Sequence, residues 1–547
     1  MDRKTEGWQF FDNTKDLLTF IAAEYGNDAM FGKKHFADHS SPLMPTVQKN
    51  LLKQAFECGA VKILYDNMNS EKWRKEAAIK QAVSKMVDTY ASAQKAAECV
   101  VWELVDAIGW DMVPQEHENI YVSNTLTNNS SFEVNRNEFN SVVSTGSKHT
   151  AVVRSDGSLW AWGANCDGQL GDGTNIGTHQ VEDTFGTLWV NVTPTRIMDD
   201  VKSVSVGYGS TLVIKNDDSL WGWGCNSFGS LGIGSAEKHH FSHVKIMTDV
   251  SFVLNRGDRV FALTKNNVLW AWGNNQDGTT GGGLLGDVTN ENRNSPVRIL
   301  DDVIAISSNA QHAMAIKSDG SLWGWGMNNY GQLGDGTSIG RNEPVKIIDE
   351  VSLVYAGLCM TKAIRYDGSL WIWGFNLGGQ VGDGTKEKRY NPVKIMDDVA
   401  FVSEEGDYAI KTDGGLYGWG MEYAQLEDGI ITKPRRPIKI MDDVVTVRNG
   451  FSEPDIRTTI AVKNDGSLWK WGVAVSAWRG DGAKASKVPP VKILENVIAI
   501  TGKKTHIMAV KADRSLWAWG YNQYGQLGDG TTTDSHRPIK IIDNIRV

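Results

Sequence analysis

One short motif recurs at a near-constant spacing from residue 160 to the end of the chain. A Trp-x-Trp-Gly sequence, once Tyr-x-Trp-Gly, begins at eight positions separated by 61, 49, 53, 48, 46, 52 and 48 residues. Self-similarity at a period near 50 residues is typical of a repeat architecture, in which each copy is one small structural unit. The spacing therefore predicts eight such units. The motif residues are Trp160, Trp162, Trp221, Trp223, Trp270, Trp272, Trp323, Trp325, Trp371, Trp373, Tyr417, Trp419, Trp469, Trp471, Trp517 and Trp519.

The fourth copy shows most clearly what one unit contains. Residues 301–309 and 312–319 are short apolar segments, and residues 321–326 carry the tryptophans. Asp319-Gly320 predicts a two-residue hairpin turn, because glycine accepts the positive φ that such turns require. After a glycine-rich loop, residues 344–348 predict a fourth strand with proline at its start, where the missing N–H is tolerated.

Four antiparallel strands per unit, repeated around an axis, form a blade of a β-propeller. Neighbouring blades cover both faces of each blade, so the tryptophans of the motif are expected to form the blade core. We therefore predict an all-β propeller of eight blades, with seven blades as the alternative. A Trp-rich unit left outside the ring would expose a large apolar patch, which favours eight.

The first 113 residues follow a different pattern. Their apolar residues recur at helical spacing and predict a small all-α bundle. Residues 114–141 are polar and predict a linker, so the propeller is expected to span residues 142–547. Leu51–Leu64 and Val100–Trp110 resemble parts of a helical domain that heads many bacterial multidomain proteins, which implies an adaptor role for this module.

The repeat itself resembles that of the regulator of chromosome condensation family, in its bacterial form. The resemblance rests on Gly146, His149 and Thr150 at the start of a unit, on the Asp-Gly-Ser-Leu-Trp-x-Trp-Gly hairpin, and on Tyr330–Thr337 and Tyr524–Thr531. It covers about 400 residues and implies a propeller. Members of the family usually build seven blades, whereas this chain carries eight units.

Composition narrows the class of protein. A net charge of −9 argues against a broad basic surface for nucleic acid, because such binding depends on neutralising phosphates. No apolar segment approaches the 18 or more residues of a membrane span, and the N-terminus lacks the pattern of a secretory signal. The five cysteines form no CxxC pair. These features predict a cytoplasmic protein that binds neither membranes nor nucleic acid.

The loops that vary most all fall on one predicted face. In an up-down meander, the connections after strands one and three emerge on the same side of the ring. The irregular insertions occur in these connections, and inserted loops often mark a binding face. They are Asn175–Val192, Thr279–Asn294, Phe451–Thr458 and Val473–Gly482. Large side chains of the kind enriched at interfaces predict the contact residues, namely Phe185, Trp189, Trp478 and Arg479.

The opposite face carries an acidic pair after the fourth strand of several units. These pairs either form a rim for a basic partner or serve the turn by bonding their own backbone. The second role is favoured because aspartate suits such turns. The pairs are Asp199-Asp200, Asp301-Asp302, Asp397-Asp398 and Asp442-Asp443.

No motif indicates catalysis. The glycine-rich segment 278–287 lacks the Gly-Lys-Ser/Thr of a phosphate-binding loop, and no nucleophile elbow is present. His239, His240 and His243 lie close in sequence without a fixed scaffold for a metal. The repeat histidines, such as His149, recur at one blade position, which favours a structural hydrogen bond. We therefore expect no enzyme activity, no cofactor and no metal.

These features together predict a protein interaction scaffold. Its propeller presents the loop face to a protein partner, and its helical module acts as an adaptor. The family resemblance implies two alternatives, a guanine-nucleotide exchange factor for a small GTPase and a protein inhibitor of a bacterial enzyme. Fold alone does not decide among them.

Overall fold

The computed structural model of the chain describes most of the repeat region. The described residues are 142–183, 186–276, 283–309, 311–404, 406–420, 424–425, 431–432, 435–453, 456–474, 487–503 and 505–546. The chain divides into two units, residues 1–131 and 132–547. The predicted helical module and linker lie outside the described residues, so the boundaries 1–113 and 114–141 stay predictions.

Eight antiparallel sheets follow one another along the described residues, and each contains a meander of four strands. The first sheet has a fifth strand at its edge, and a separate two-stranded sheet lies between the third and fourth strands of the sixth. The eight-bladed propeller is thus confirmed, and the seven-bladed alternative is wrong. Each motif copy forms the third strand of one blade. Its two aromatic residues are two positions apart and therefore lie on the same side of the strand. Among the described residues, no helix is long and apolar enough to cross a bilayer.

The strands have the following bounds. Blades 1 and 2 contain β1 (Val143–Thr145), β2 (His149–Val153), β3 (Leu159–Ala164) and β5 (Gly186–Met198), with β4 (His179–Asp183) on the free edge of β5, and then β6 (Val201–Val206), β7 (Ser210–Lys215), β8 (Leu220–Cys225) and β9 (His239–Met247). Blades 3 and 4 contain β10 (Val250–Asn255), β11 (Arg259–Thr264), β12 (Leu269–Gly273) and β13 (Arg293–Leu300), then β14 (Val303–Ser308), β15 (His312–Lys317), β16 (Leu322–Gly326) and β17 (Arg341–Ile348).

Blade 5 contains β18 (Val351–Ala356), β19 (Met360–Arg365), β20 (Leu370–Gly374) and β21 (Arg389–Met396). Blade 6 contains β22 (Val399–Val402), β23 (Tyr408–Lys411), β24 (Leu416–Gly418) and β27 (Ile438–Met441). A small separate hairpin is formed by β25 (Ala424–Gln425) and β26 (Ile431–Thr432). Blades 7 and 8 contain β28 (Val444–Glu453), β29 (Ile456–Lys463), β30 (Leu468–Ala474) and β31 (Lys487–Leu494), then β32 (Val497–Lys503), β33 (His506–Lys511), β34 (Leu516–Gly520) and β35 (Ser535–Ile542). A single 3-10 turn within the described residues covers Ser227–Gly229.

The fourth strand of blade 4 begins earlier than predicted. It starts at Arg341, and Pro344 lies inside it. The register between β16 and β17 shifts between Gly324 and Gly326, so that Val345 pairs with Gly324 and Arg341 with Gly326. Pro344 therefore falls in a bulge of an edge strand, where its missing N–H breaks no ladder bond.

The Asp-Gly-Ser hairpin is held by its own side chains. One carboxylate oxygen of Asp319 accepts hydrogen bonds from the backbone N–H of Ser321 at 2.9 Å and from its hydroxyl at 2.6 Å. Gly320 has a φ of +79°, as the turn requires. The Nε1–H of Trp323 donates to the Ser321 hydroxyl at 2.9 Å, so the turn and the strand that follows it form one local unit.

The two tryptophans of the motif differ in burial, although both were expected in the blade core. The second tryptophan is fully buried in all eight blades, while the first aromatic residue is only partly buried. Trp325 has no exposed surface, whereas the ring of Trp323 lies beneath the Lys317 amine at 5.5 Å. The second tryptophan is therefore the core residue, and the first covers the turn beside a cation.

Hydrogen bonds of one recurring kind join adjacent blades. The backbone carbonyl of Gln332 in blade 4 accepts from Trp373 Nε1 at 2.9 Å and from the Thr361 hydroxyl at 2.7 Å, both in blade 5. His312 of blade 4 bonds through Nε2 to the same hydroxyl at 2.8 Å. Because the one hydroxyl proton goes to the carbonyl, the histidine Nε2–H is the donor. The structural role predicted for the repeat histidines is confirmed.

The ring closes through the residues that follow β35, because Ile545 forms an antiparallel bridge with Arg154 of blade 1. Blade 8 meets blade 1 through backbone bonds from Ser155 N to Asn544 O at 2.8 Å and from Arg546 N to Val153 O at 3.1 Å. Between blades 1 and 2, Asn216 N donates in the same way to Asp200 O at 2.8 Å. The closing seam thus repeats the contacts of an ordinary blade boundary.

The first strand of every blade lines a central channel. Its volume is about 1660 Å3, and its wall combines apolar side chains with serine, asparagine and charged residues. The connections after the first strands form one mouth of this channel. That mouth lies on the same side of the ring as the long connections after the third strands.

Candidate interaction face

The long-loop face comprises the connections after the first and third strands of each blade. The meander topology places these connections at one end of the sheets and the tight turns after the second and fourth strands at the other. This agrees with the face arrangement expected from the sequence. Whether this face binds a partner stays a prediction.

The insertion in the first unit is ordered as a β-hairpin. Residues 179–183 of β4 pair with residues 186–190 of β5, which extends the outer strand of blade 1 beyond the sheet. Trp189 was expected in a loop, but it lies in β5, where it is partly buried and its carbonyl accepts from Asn165 N at 2.9 Å. Phe185, Trp478 and Arg479 lie outside the described residues, so no joint surface of the four is defined.

A polar cluster ties this hairpin to the last blade. The carboxylate of Asp183, at the end of β4, accepts from Lys148 Nζ at 2.8 Å and from the Tyr524 hydroxyl at 2.7 Å. The Lys148 amine also lies 4.5 Å from the centre of the Tyr524 ring. Since Tyr524 belongs to blade 8, the hairpin covers the seam at which the ring closes.

A buried asparagine, which was not predicted from the sequence, organises the loop after the third strand. In blade 4, Asn328 Oδ1 accepts from Leu333 N at 2.9 Å, and its Nδ2 donates to the carboxylate of Asp335 at 2.9 Å. Asp335 also accepts from Arg341 Nε at 2.8 Å. The Gly-Asp-Gly-Thr segment therefore serves the turns of this loop. The sequence signal was an asparagine two residues after the Trp-x-Trp-Gly glycine, found at Asn165, Asn226, Asn275, Asn328, Asn376 and Asn522.

Exposed apolar side chains concentrate on the long-loop face. Leu358 follows the first strand of blade 5 and is 64% exposed, and Leu377 follows its third strand and is 59% exposed. Isolated exposed apolar residues are ordinary on protein surfaces, but a group on one face is typical of a contact surface. The exposed large apolar residues in these connections are Ile176, Tyr208, Phe228, Val288, Ile339, Leu358 and Leu377.

Two of these residues adopt a backbone conformation that apolar residues avoid. Phe228 has a φ of +59° and Val288 a φ of +63°, and both side chains are more than half exposed. The corresponding residue of blade 4 is Gly336, with a φ of +82° in the same Gly-Asp-x-Thr turn that holds Val288. A β-branched residue at positive φ is a true outlier. Such strain gathers at functional surfaces.

The tight turns of the opposite face explain why it carries the acidic pairs. The second residue of each acidic pair adopts a φ near +60°, as in Asp302, which is what the tight turn after the fourth strand requires. The first residue pairs with the cation three positions earlier, as Asp301 does with Arg298 at 2.5 Å. The structure thus favours the turn role over a rim for a basic partner.

The clustered histidines do not gather around one point. His239 and His240 lie in β9, where His239 Nδ1 is 3.4 Å from Asp167 and His240 Nε2 is 3.7 Å from Glu237. His243 packs against Trp223 with ring centres 4.5 Å apart, and burial lowers its pKa. Over the described ranges, no group of three His, Cys, Asp or Glu side chains is placed to hold a metal ion.

Comparison with known proteins places the fold in a family. Residues 114–409 match the model of the RCC1-like domain, and residues 513–546 match the regulator of chromosome condensation (RCC1) repeat. The first match covers more than half of the chain. It extends over blades 1 to 5 and into blade 6, and the second match falls on blade 8.

Curated relatives are matched over part of their length only. The X-linked retinitis pigmentosa GTPase regulator homolog of Caenorhabditis elegans is 35% identical over 94 residues, which are 17% of this chain and 6% of that protein. The ultraviolet-B receptor UVR8 of Arabidopsis thaliana is 27% identical over 198 residues, which are 35% of this chain and 41% of that protein. The chain thus spans less than half the length of either relative.

Two solved structures are similar to part of this chain at low identity. Human WBSCR16 is similar with a TM-score of 0.47 and 18% identity, over 70% of this chain and 94% of that one. Prp20p from Saccharomyces cerevisiae, whose structure was described together with its binding to Gsp1p and histones, gives a TM-score of 0.47 and 17% identity over 71% and 86% of the two chains. From the repeat, the eight blades and the match over residues 114–409, we conclude that the chain belongs to the RCC1-like domain family.

Proposed function

We propose that the protein is a non-enzymatic interaction scaffold whose long-loop face binds a protein partner. The observation that carries this proposal is the concentration of exposed apolar side chains, such as Leu358 and Leu377, in the connections of that face. Protein interfaces rely on apolar anchors surrounded by polar residues.

The strained residues of the face support the same function. Phe228 and Val288 hold apolar side chains outward at positive φ, which costs stability. Glycine serves at the Val288 position in blade 4 without that cost. A residue that weakens the fold while exposing an apolar group is best explained by a contact outside the chain.

The remaining parts of the proposal rest on the sequence. The helical module, residues 1–113, would serve as an adaptor that recruits a second protein, as its resemblance to bacterial helical domains implies. The proposal also places the protein in the cytoplasm, because its five scattered cysteines do not suggest a disulfide framework.

Nucleotide exchange is the main alternative. One relative is named a GTPase regulator homolog, and Prp20p was described together with its binding to Gsp1p. These names describe those proteins. Under the scaffold proposal, the partner is bound without a change in nucleotide release, and no enzyme is inhibited.

The test is an affinity capture from native lysate with the full-length protein and two double variants. Leu358→Ser with Leu377→Ser alters the long-loop face, and Ile304→Ser with Ile498→Ser alters exposed residues at the other end of the blades. We expect the first variant to lose the partner and the second to retain it, with unchanged melting temperatures for both. Loss in the second variant alone would refute the face assignment.

The captured partner then separates the alternatives. If it is a GTPase, the release of a fluorescent nucleotide is measured with and without the propeller. Release accelerated by the wild type and not by the loop-face variant would replace the scaffold proposal with exchange activity. Inhibition of a captured hydrolase would replace it with the inhibitor.

A further inference from the structure

Arg259 occupies a position at which three other blades carry the structural histidine. Arg259 pairs with Gly273, as His149 pairs with Gly163 and His312 with Gly326. In those blades the histidine donates to a threonine of the next blade, Thr211 or Thr361.

The next blade offers Arg259 no such threonine. Ala313 stands where blade 5 has Thr361, because Ala313 pairs with Trp325 as Thr361 pairs with Trp373. The hydrogen bond that explains the histidines is therefore impossible for Arg259. Its presence needs another explanation.

The guanidinium of Arg259 is buried and incompletely paired. The residue is 3% exposed, and its Nε and Nη1 have no hydrogen-bond partner within the part of the chain that the structure describes. Asp258 Oδ1 is 3.5 Å from Nε, while Asp258 Oδ2 accepts from Asn274 Nδ2 at 2.8 Å. Burial lowers the pKa of Arg259, but an arginine stays charged in proteins. A buried charge with open donors is costly unless an anion meets it.

Arg259 lies in the wall of the central channel, near the mouth on the long-loop face. Arg256 is three residues away, and its Nη2 lies 3.2 Å from Glu404 of blade 6, on another part of the channel wall. The Nε atom of Arg256 is buried and has no hydrogen-bond partner among the described residues. Both arginines therefore line the channel, and each has a buried donor without a hydrogen-bond partner among the described residues.

The channel wall is basic although the chain is acidic. The described residues of the wall include five cationic and two anionic side chains, whereas the whole chain has a net charge of −9. A concave site lined by one sign of charge concentrates ions of the opposite sign. The cations are Lys202, Arg256, Arg259, Arg448 and Arg546, and the anions are Asp258 and Glu404.

We propose that the channel mouth binds a small molecule through an oxyanion group, a phosphate or a carboxylate, with Arg259 as the principal ligand and Arg256 as the second. The guanidinium fork matches the paired oxygens of both groups and bonds them in a bidentate manner. The volume of about 1660 Å3 leaves room for the rest of a metabolite-sized molecule. Leu358 of the long-loop face also lines this channel, but the proposal depends on the two arginines and not on partner binding.

The test titrates the full-length protein with inorganic phosphate and, separately, with malonate, against sodium chloride at equal ionic strength. Binding is followed by calorimetry and by the melting temperature. We expect saturable binding of one or both oxyanions and none of chloride. Tighter phosphate binding would assign the group to a phosphate compound, and tighter malonate binding to a carboxylate compound. No binding beyond chloride would overturn the proposal.

A double variant separates binding from folding. Arg259→His with Ala313→Thr rebuilds the histidine–threonine pair found at other boundaries, so the propeller is expected to keep its melting temperature. Its affinity for the preferred oxyanion should fall about tenfold or more, as expected for loss of charge-assisted hydrogen bonds. Lys394→Ala, in β21 and outside the channel wall, is expected to bind as the wild type does. Wild-type affinity in the double variant would also overturn the proposal.

Discussion

His506 of the last blade and Thr150 of the first are joined by a hydrogen bond of 2.9 Å between the imidazole Nε2 and the hydroxyl. The same hydroxyl donates to the Gln526 carbonyl at 3.0 Å, and Trp162 Nε1 donates to that carbonyl at 2.9 Å. Every other pair of neighbouring blades is also connected by the chain itself. At this seam, non-covalent contacts alone hold the ring closed.

Replacing Thr150 by valine should weaken the seam. The variant keeps the shape of the side chain but removes the hydrogen bonds that the Thr150 hydroxyl makes to His506 Nε2 and to the Gln526 carbonyl, which should cost about 1–3 kcal/mol. Hydrogen exchange is expected to accelerate in blades 1 and 8, because the open edge of a ring frays first.

Thr361→Val is the matched control for this change. It removes the same bonds between blades 4 and 5, to His312 and Gln332, where the chain still links the blades. A similar loss of stability without faster exchange in blades 1 and 8 is expected. Equal exchange patterns in the two variants would show that the seam is no weaker than other boundaries.

The two tryptophans of one motif should differ in their contribution to stability. Trp325→Ala removes a fully buried ring and should cost about 3–5 kcal/mol. Trp323→Ala removes a ring that is partly exposed and bonded to Ser321, so the cavity opens to solvent and the cost should be smaller. Urea unfolding of both variants measures the difference. Equal costs would contradict the burial difference on which this prediction rests.

The motif illustrates how much of the fold could be predicted from the sequence. Periodicity reveals the number of units and the hairpin turn, because both depend on local residue patterns. Trp323 and Trp325 look alike in sequence, however, and only the position of the neighbouring blade makes one of them core. Trp189 appeared to lie in an irregular insertion, yet the insertion pairs with itself as a hairpin.

The candidate sites were harder to predict. Arg259 is one of many arginines in the sequence, and its significance appears only when the strand register aligns it with His312 and aligns Ala313 with Thr361. Asn328 recurs at a constant position, so the sequence did contain its signal. Its role as the centre of a loop becomes clear from its hydrogen bonds.

The stability of the propeller should fall in mild acid because of His312. Burial lowers the pKa of His312 to about 3, while an unfolded histidine has a pKa of about 6.5. Between these two values the unfolded chain binds a proton that the folded chain does not. The contribution of neutral His312 to the free energy of unfolding is therefore complete above pH 6.5. As the pH falls from there towards 3, this contribution decreases by up to about 1.4 kcal/mol per pH unit.

His312→Gln isolates this contribution from that of the carboxylates. Glutamine retains a donor for Thr361 but does not titrate. We expect urea unfolding between pH 7 and 4 to give a shallower loss of stability in the variant than in the wild type. Parallel curves for the two proteins would mean that His312 is protonated in the folded state within this range.

Val288→Gly should stabilise the protein and weaken its binding. Val288 has a φ of +63°, so glycine would relieve backbone strain of about 1–2 kcal/mol, partly offset by the greater freedom of the unfolded chain. A net gain of about 1 kcal/mol is expected in urea unfolding. The backbone bond from Val288 N to Asn342 O, 2.9 Å long, should persist, since glycine keeps the N–H.

If the exposed valine serves partner recognition, the more stable variant should capture less partner than the wild type. A loss of stability would instead mean that the side chain packs within the blade, and undiminished capture would remove Val288 from the proposed contact surface.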